Sequence, residues 1–467
     1  MGVVCWMDNT DRMGERPIPE LLLHFAAPAI TGLVVNALYN IVDRIFVGHA
    51  VGPDGIAAIT VSFPFMMFAM SYCILVGVGS SSLISISLGR QDTERAGKVL
   101  GNGILLLVAG TLLYVLVGAR FLERILMLSG ASRSLLPFSK VYLTIILWGI
   151  PFSNISMGFN YFIRAEGRPD YAMFTLIIGA VLNIILDWLL IMVFSMGIAG
   201  AALATVIAQM AASFWVISFY LFRRGNIRIG WRSLAPMIKI IGKIIVIGAS
   251  PFLMEVTFTF ILVLMNRVIR TYGGDMGISA VGIFFSLDSL LFLPVLGIGE
   301  GLQPLVGYNY GARIYSRVIH TVKLALIAAI GFFLLSFTVI MVFPYPLVHL
   351  FNTTSEDLIK LTVRGMRLGY MGLPVAAVGI VASYTLQSLG KARESLILNI
   401  TRQFVFFLPC LIFLPKLVGL DGVWLSLPAS DVMGGILGGF ILRGEMRKMK
   451  NKEKSLFEEI SAGRDTN

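Results

Sequence analysis

Long, unbroken apolar stretches separated by short charged segments constrain this chain more than any other feature of its sequence. Each is long enough to cross a hydrocarbon core of about 30 Å, which takes about 20 residues as a helix. No water is present there to satisfy backbone N–H and C=O groups, so only helices and closed barrels can span it. Barrel strands alternate apolar and polar residues with period two. The runs here are continuous, so helices are expected. Composition agrees, with 57% of the 467 residues hydrophobic and only 13% charged, against about a quarter charged in a soluble domain. Twelve spans are placed at roughly 21–48, 57–88, 97–119, 139–163, 171–194, 198–222, 239–269, 278–304, 319–346, 360–389, 395–416 and 422–443. The fold class expected is an all-α membrane protein.

Charge sets the topology. The net charge of +11 would suggest nucleic acid in a soluble protein, but here the bases lie between the apolar runs. Lys and Arg accumulate on the cytoplasmic side of a membrane protein. One set of connections carries Arg90, Arg95 and Lys98; Arg164 and Arg168; Arg223, Arg224, Arg228 and Arg232; Arg313 and Arg317; Lys391 and Arg393. The opposite connections 49–55 and 195–200 carry none, although Arg120, Arg124, Arg133, Lys140, Arg270, Lys360 and Lys416 run against the trend. The expectation is a multi-pass cell-membrane protein with both termini cytoplasmic and no nucleic-acid partner. The polar segment before the first span predicts no cleavable leader. Cys5, Cys73 and Cys410 lie far apart, without disulfide or metal spacing. His24, His49, His320 and His349 fall near span ends and form no catalytic pair, so no enzyme is expected.

The chain repeats itself. Gly77-Val-Gly79, Gly89 and Arg95 correspond to Gly299-Glu-Gly301, Gly311 and Arg317, each pair 222 apart. Gly197-Ile-Ala-Gly200 matches Gly419-Leu-Asp-Gly422 at the same offset. Pro28 and Pro251, Pro151 and Pro374, Tyr161 and Tyr384, and Gly167 and Gly390 match at 223. One glycine match means little; a nearly constant offset over most of each half means a duplication. Six spans per half is an even number, so the halves run parallel, related by an axis along the membrane normal. The expected organisation is a lobe at 1–222 with spans 1–6, a cytoplasmic linker at 223–239, a lobe at 240–443 with spans 7–12, and a basic tail at 444–467. Two such bundles around a central cleft suit alternating access.

Ionisable groups in hydrocarbon are costly and point to function. Span 1 carries Asn36, Asn40 and Asp43 on one helical face, and span 5 carries Asn183 and Asp187 spaced i and i+4. Asp43 and Asp187 both fall in the outer half of their spans, level with Thr205 early in span 6. Oxygens from two carboxylates, Asn and Thr suit a hard cation such as Na⁺; equally, two close carboxylates can share a proton. Interhelical hydrogen bonding without ion traffic is the plainer alternative. The second half places Asn266 where the first has Asp43. Its own polar candidates are Glu255, Asp288, Arg402 and Asp431, of which Arg402 can form an ion pair with one of the acids. Pro28 removes a helix hydrogen bond and permits bending of span 1, which makes it a candidate hinge.

The motifs Asn40-Ile-Val-Asp43-Arg-Ile-Phe-Val-Gly48, Arg164-Ala-Glu-Gly167-Arg-Pro169 and Gly301-Leu-Gln-Pro-Leu-Val-Gly-Tyr-Asn-Tyr-Gly311 resemble the MATE family, multidrug and toxic compound extrusion. Together with Gly77-Val-Gly79 running to Leu88-Gly89, they make the resemblance extend over nearly the whole chain. It implies two six-helix lobes of the MOP flippase superfamily and export of cationic, aromatic or amphipathic compounds, driven by inward flow of H⁺ or Na⁺. Asp43, Asn183, Asp187 and Thr205 match the family's N-lobe cation site, with Asn40 beside them and Asn160 matching as well, although Asn160 lies nearer the cytoplasm. Glu255 matches an acid of the second lobe. The acid that some branches place in span 10 is missing between Met366 and Gly390, which favours coupling through the first lobe. The resemblance thus implies a monomeric antiporter with small organic substrates, the lipid bilayer as its surroundings, no cofactor beyond the coupling ion, and no metal site apart from Na⁺ at Asp43 and Asp187. A flippase for a lipid-linked precursor is the alternative. It would want a cationic cavity, and Arg402 is among the few mid-span bases.

Overall fold

The computed structural model describes residues 13–228, 230–349 and 355–464; Cys5, both chain ends and Ile229 of the linker lie outside them. The described residues are almost entirely helical. The first half comprises α1 (Ile18–Ala50), α2 (Pro53–Gly89), α3 (Thr93–Leu128), α4 (Leu136–Ala165), α5 (Pro169–Asp187) and α6 (Gly197–Leu221). The second comprises α7 (Ile238–Gly311), α8 (Tyr315–Val342), the short α9 (Pro344–His349), α10 (Glu356–Gly369), α11 (Leu373–Ser388), α12 (Ala392–Ile400), α13 (Leu408–Val418) and α14 (Leu420–Arg464). Local chemistry sets the ends. Asp92 caps α3 by accepting from Arg95 N at 2.9 Å, and Pro53 and Pro169 open α2 and α5, where a missing N–H costs nothing.

Among the described residues, ten helices are long and apolar enough to cross a membrane. α10 and α11, bent by 55°, make an eleventh span. Span 10 was expected as one run; Pro374 at the start of α11 explains the break. The twelfth is hidden in the 74 residues of α7, where Gly274 leaves the helical region at φ 59° and ψ −155°. A Cβ on Gly277 would meet Ile269 Cγ2 at 3.1 Å, whereas eight residues of straight helix would separate them by about 12 Å. The chain therefore reverses at Gly274, within the connection expected between spans 239–269 and 278–304, and α7 is those two spans joined by a tight turn. Twelve spans in two homologous sets of six result.

The chain forms two compact units. Unit 1 is built from Thr31–Phe252 with the described part of Met1–Glu15; unit 2 from Arg16–Ile30 with the described residues from Leu253 onward. These limits differ from the linear halves, since the first turns of α1 count with unit 2 and those of α7 with unit 1. In unit 1, a Cβ on Gly79 or Gly248 would lie 2.1 Å from Ile244 O or 1.8 Å from Leu75 O. In unit 2, Gly297 and Gly301 pack equally tightly on the backbones of Ile30 and Ala26. Small residues allow such backbone approaches in membrane helices. The duplication shows in packing too. Gly77 lies against Tyr161 in unit 1 and Gly299 against Tyr384 in unit 2; in both, a Cβ on the glycine would lie 2.4 Å from the nearest ring carbon. Pro28 and Pro251 each sit two or fewer residues before the point where their helix passes from one unit to the other.

The linker is held to unit 1 from inside. Asn102 Oδ1 accepts from Met237 N at 2.7 Å and its Nδ2 donates to Ala235 O at 3.2 Å. Glu166, just beyond α4 and 1% exposed, accepts from Ile227 N at 3.1 Å through Oε2. Burial pushes this carboxyl up to about 7, against the opposing pull of Tyr220 and the Ile227 and Asn226 N–H groups. Its Oε1 stands buried without a hydrogen-bond partner. An acid raised from 4.5 stabilises fully below pH 4.5 and loses that contribution as pH rises through about 7. Protection of the Ile227 amide from hydrogen exchange is therefore expected to fall as pH passes about 7, after correction for intrinsic rates. In Glu166→Gln, whose amide mimics the protonated acid, this pH dependence should vanish. If the variant keeps it, Glu166 is not its source.

Candidate cation site

α1, α5, α6 and α4 bring a polar cluster together inside unit 1. α5 ends at Asp187, which is fully buried, and continues as a π-helical turn, Trp188–Val193. Such turns displace one residue from the regular ladder and recur at functional sites. One turn earlier, Asn183, 2% exposed, donates through Nδ2 to Thr205 Oγ1 of α6 at 3.4 Å, and Thr205 donates to Ala201 O at 3.1 Å. Asp43 of α1 faces Asp187 within hydrogen-bonding reach.

Two ionised carboxylates have no proton to offer each other. Asp43 Oδ1, both Asp187 oxygens and Asn183 Oδ1 accordingly stand buried without a donor. No ion pair relieves either acid among the described residues; Arg44 is near enough to Asp43 to act through space, but its guanidinium lies 6.0 Å from the Phe63 ring centre. Unsatisfied buried acceptors cost about 1–3 kcal/mol each, more when charged. Four of them on neighbouring side chains are a demand for a proton or a small cation. Tyr39 and Tyr142, which the sequence did not single out, stand within electrostatic reach of both acids. Tyr142 is 3% exposed and belongs to the apolar core that includes Val47, Ile191 and Ile198, so one wall of the site is dry.

The other expected residues lie elsewhere. Asn40 is exposed and turns along its own helix, donating to Asn36 O and Oδ1 at 2.7 and 3.0 Å. Asn160 donates to Ala172 O at 2.6 Å; Ala172 precedes Asp187 on α5 by fifteen residues, about 22 Å of helix. Pro28 stays inside an unbroken α1. In unit 2, Arg402 Nη1 pairs with Asp431 Oδ1 at 3.1 Å, from a second π-helical turn, Thr401–Phe407, which joins α12 to α13. Asp288, on the second arm of α7, lies within electrostatic reach of that pair, and Glu255 is partly buried on the first arm. The ion pair foreseen for Arg402 is thus formed, with Asp431 as its partner. Sequence reasoning also missed the unit 2 network in which Gln303 Nε2 donates to Gln387 Oε1 at 3.1 Å and Asn399 Nδ2 to Ser383 Oγ at 2.8 Å. No group of three His, Cys, Asp or Glu suited to a metal occurs among the described residues.

Known proteins share this fold. The MatE family model matches residues 28–189 and again 251–412, two equal windows offset by 223. The multidrug export protein MepA of Staphylococcus aureus is 29% identical over 436 residues, covering 92% of this chain and 96% of the relative. MepA of Staphylococcus haemolyticus is 27% identical over 444 residues, covering 95% and 97%. A solved structure described as MATE in the straight conformation has a TM-score of 0.88 at 25% identity, over 95% of this chain and 99% of that one. An outward-facing multidrug resistance MATE transporter of the MOP superfamily has a TM-score of 0.89 at 24% identity, again over 95% and 99%. With twelve spans, a doubled family match and this fold, the chain belongs to the MATE family of multi-pass membrane transporters.

Proposed function

We propose that this protein exports small organic compounds by antiport, with inward flow of H⁺ or Na⁺ through the Asp43–Asp187 site driving alternating access. The observation that carries the reading is the group of donor-less buried oxygens on Asp43, Asp187 and Asn183. An empty site of this kind is costly, and a cation that enters stabilises whichever conformation holds it. Only a ligand with different affinities for two conformations shifts their balance. Cation and exported compound must therefore favour opposite states, and Pro28 and Pro251 are the positions at which α1 and α7 would bend. The names of the staphylococcal relatives support multidrug export. The pairing of Arg402 with Asp431 weighs against the flippase alternative, since it takes up a base that would hold phosphate. Both termini are assigned to the cytoplasm of a monomer in the cell membrane.

The test is gradient dependence. Proteoliposomes loaded with a fluorescent organic cation receive either a pH gradient at equal Na⁺ or a Na⁺ gradient at equal pH. Efflux is expected to follow one of the two inward gradients and to stop when it is dissipated. Efflux indifferent to both would end the antiport reading.

A further inference from the structure

At the end of unit 1 where the linker meets α7, a cavity of about 350 Å³ opens between α2, α3 and the first turns of α7. Arg95, Lys98, Lys239 and Lys243 line it with the acids Asp92 and Glu94. Four bases against two acids leave a local charge of +2. Both acids are already engaged. Glu94 pairs with Lys98 at 2.6 Å, and Asp92 caps α3. Arg95, Lys239 and Lys243 form no ion pair among the described residues. Lys239 and Lys243 stand four residues apart on one face of α7, a like-charge spacing that destabilises a helix unless an anion lies between them. The first turns of α3 and α7 both border the cavity, adding the positive ends of two long helices. Leu83, Val99, Met237 and Ile240 complete the lining, which gives the basic mouth an apolar wall.

We propose that this cavity binds a phosphate-bearing anion. The basic residues hold the phosphate, and the apolar wall takes the glycerol and upper acyl carbons when that phosphate belongs to an anionic phospholipid. Lipid headgroups are the nearest abundant source, because the bases mark the membrane edge of the helices. The site is separate from the Asp43–Asp187 cluster and requires nothing of the transport cycle.

The test uses the full-length protein in detergent with three probes: phosphatidylglycerol, phosphatidylcholine and inorganic phosphate. Thermal protection is measured against probe concentration for the wild type, for Lys239→Gln/Lys243→Gln, and for Lys450→Gln/Lys452→Gln, which removes equal charge from the far end of α14. Phosphatidylglycerol is expected to protect saturably and phosphatidylcholine not. A surface lysine facing anionic lipid contributes roughly fivefold in affinity, so the Lys239/Lys243 variant should bind about 25-fold more weakly. The Lys450/Lys452 variant should match the wild type. Saturable protection by inorganic phosphate, lost in the same variant, keeps the site and makes its ligand soluble. Equal losses in both variants, or none in the Lys239/Lys243 variant, would overturn the proposal.

Discussion

Asp187→Asn is expected to abolish gradient-driven efflux while leaving a folded protein in the membrane. The side chain keeps its shape, so packing against the Trp188–Val193 turn is preserved. What changes is charge, one of the two carboxylates that face each other in the site. Removing one of the charges that hold an ion in a buried site costs about 2–5 kcal/mol. That corresponds to a loss of about 30-fold or more in cation affinity. The variant is expected still to exchange the exported compound downhill. Two readings decide the matter, downhill exchange of a fluorescent substrate and uphill efflux against a gradient. Loss of the second with survival of the first places Asp187 in coupling. Wild-type uphill efflux would remove it. Asn40→Ala, by contrast, should leave efflux near wild type, because Asn40 is spent on Asn36.

The largest expected effect on stability belongs to Gly248→Ala. Its Cβ would lie 1.8 Å from the carbonyl oxygen of Leu75, a backbone atom that cannot rotate away. Relief requires α7 to move off α2, with loss of the neighbouring contact of Gly79 on Ile244. Forced overpacking of this kind costs about 3 kcal/mol. A lower yield of monodisperse protein and a lower unfolding temperature are expected. Gly331→Ala is the control, since nothing lies within 4 Å of its Cβ, and alanine in place of glycine at an open helical site is favourable by up to about 1 kcal/mol, so no loss of stability is expected. If both variants unfold alike, the close approach of α2 and α7 is not what holds unit 1 together.

Topology was legible in the sequence because hydrocarbon imposes length and continuity on every span, and because duplication preserved packing residues at a fixed offset. Gly77 with Tyr161 and Gly299 with Tyr384 remained recognisable since each glycine is there to admit a ring. Juxtaposition of Asp43 with Asp187 could be argued from depth and helical spacing alone. Tyr39 and Tyr142 could not, because an aromatic residue in an apolar span looks the same whether it faces lipid or an acid. Asn40 misled for the opposite reason. An amide four residues after another on a helix can satisfy itself locally, and spacing does not tell which choice it makes. The reversal at Gly274 was legible, because the polar, glycine-rich stretch Arg270-Thr-Tyr-Gly-Gly-Asp275 separates two apolar runs, whereas the break before Pro374 was concealed by continuous hydrophobicity. Nothing in the spacing reveals that Arg402 would choose Asp431, since the π-helical turn at Thr401–Phe407 shifts the register in which its side chain emerges.

Ala26 and Ile30 fill the glycine-lined groove of Gly297 and Gly301, and Ile244 and Gly248 fill that of Gly79 and Leu75. A half-length chain cut within 223–237 would therefore keep a vacant groove and a projecting helix start that belongs in someone else's. Two identical copies in that condition complete one another by domain swapping.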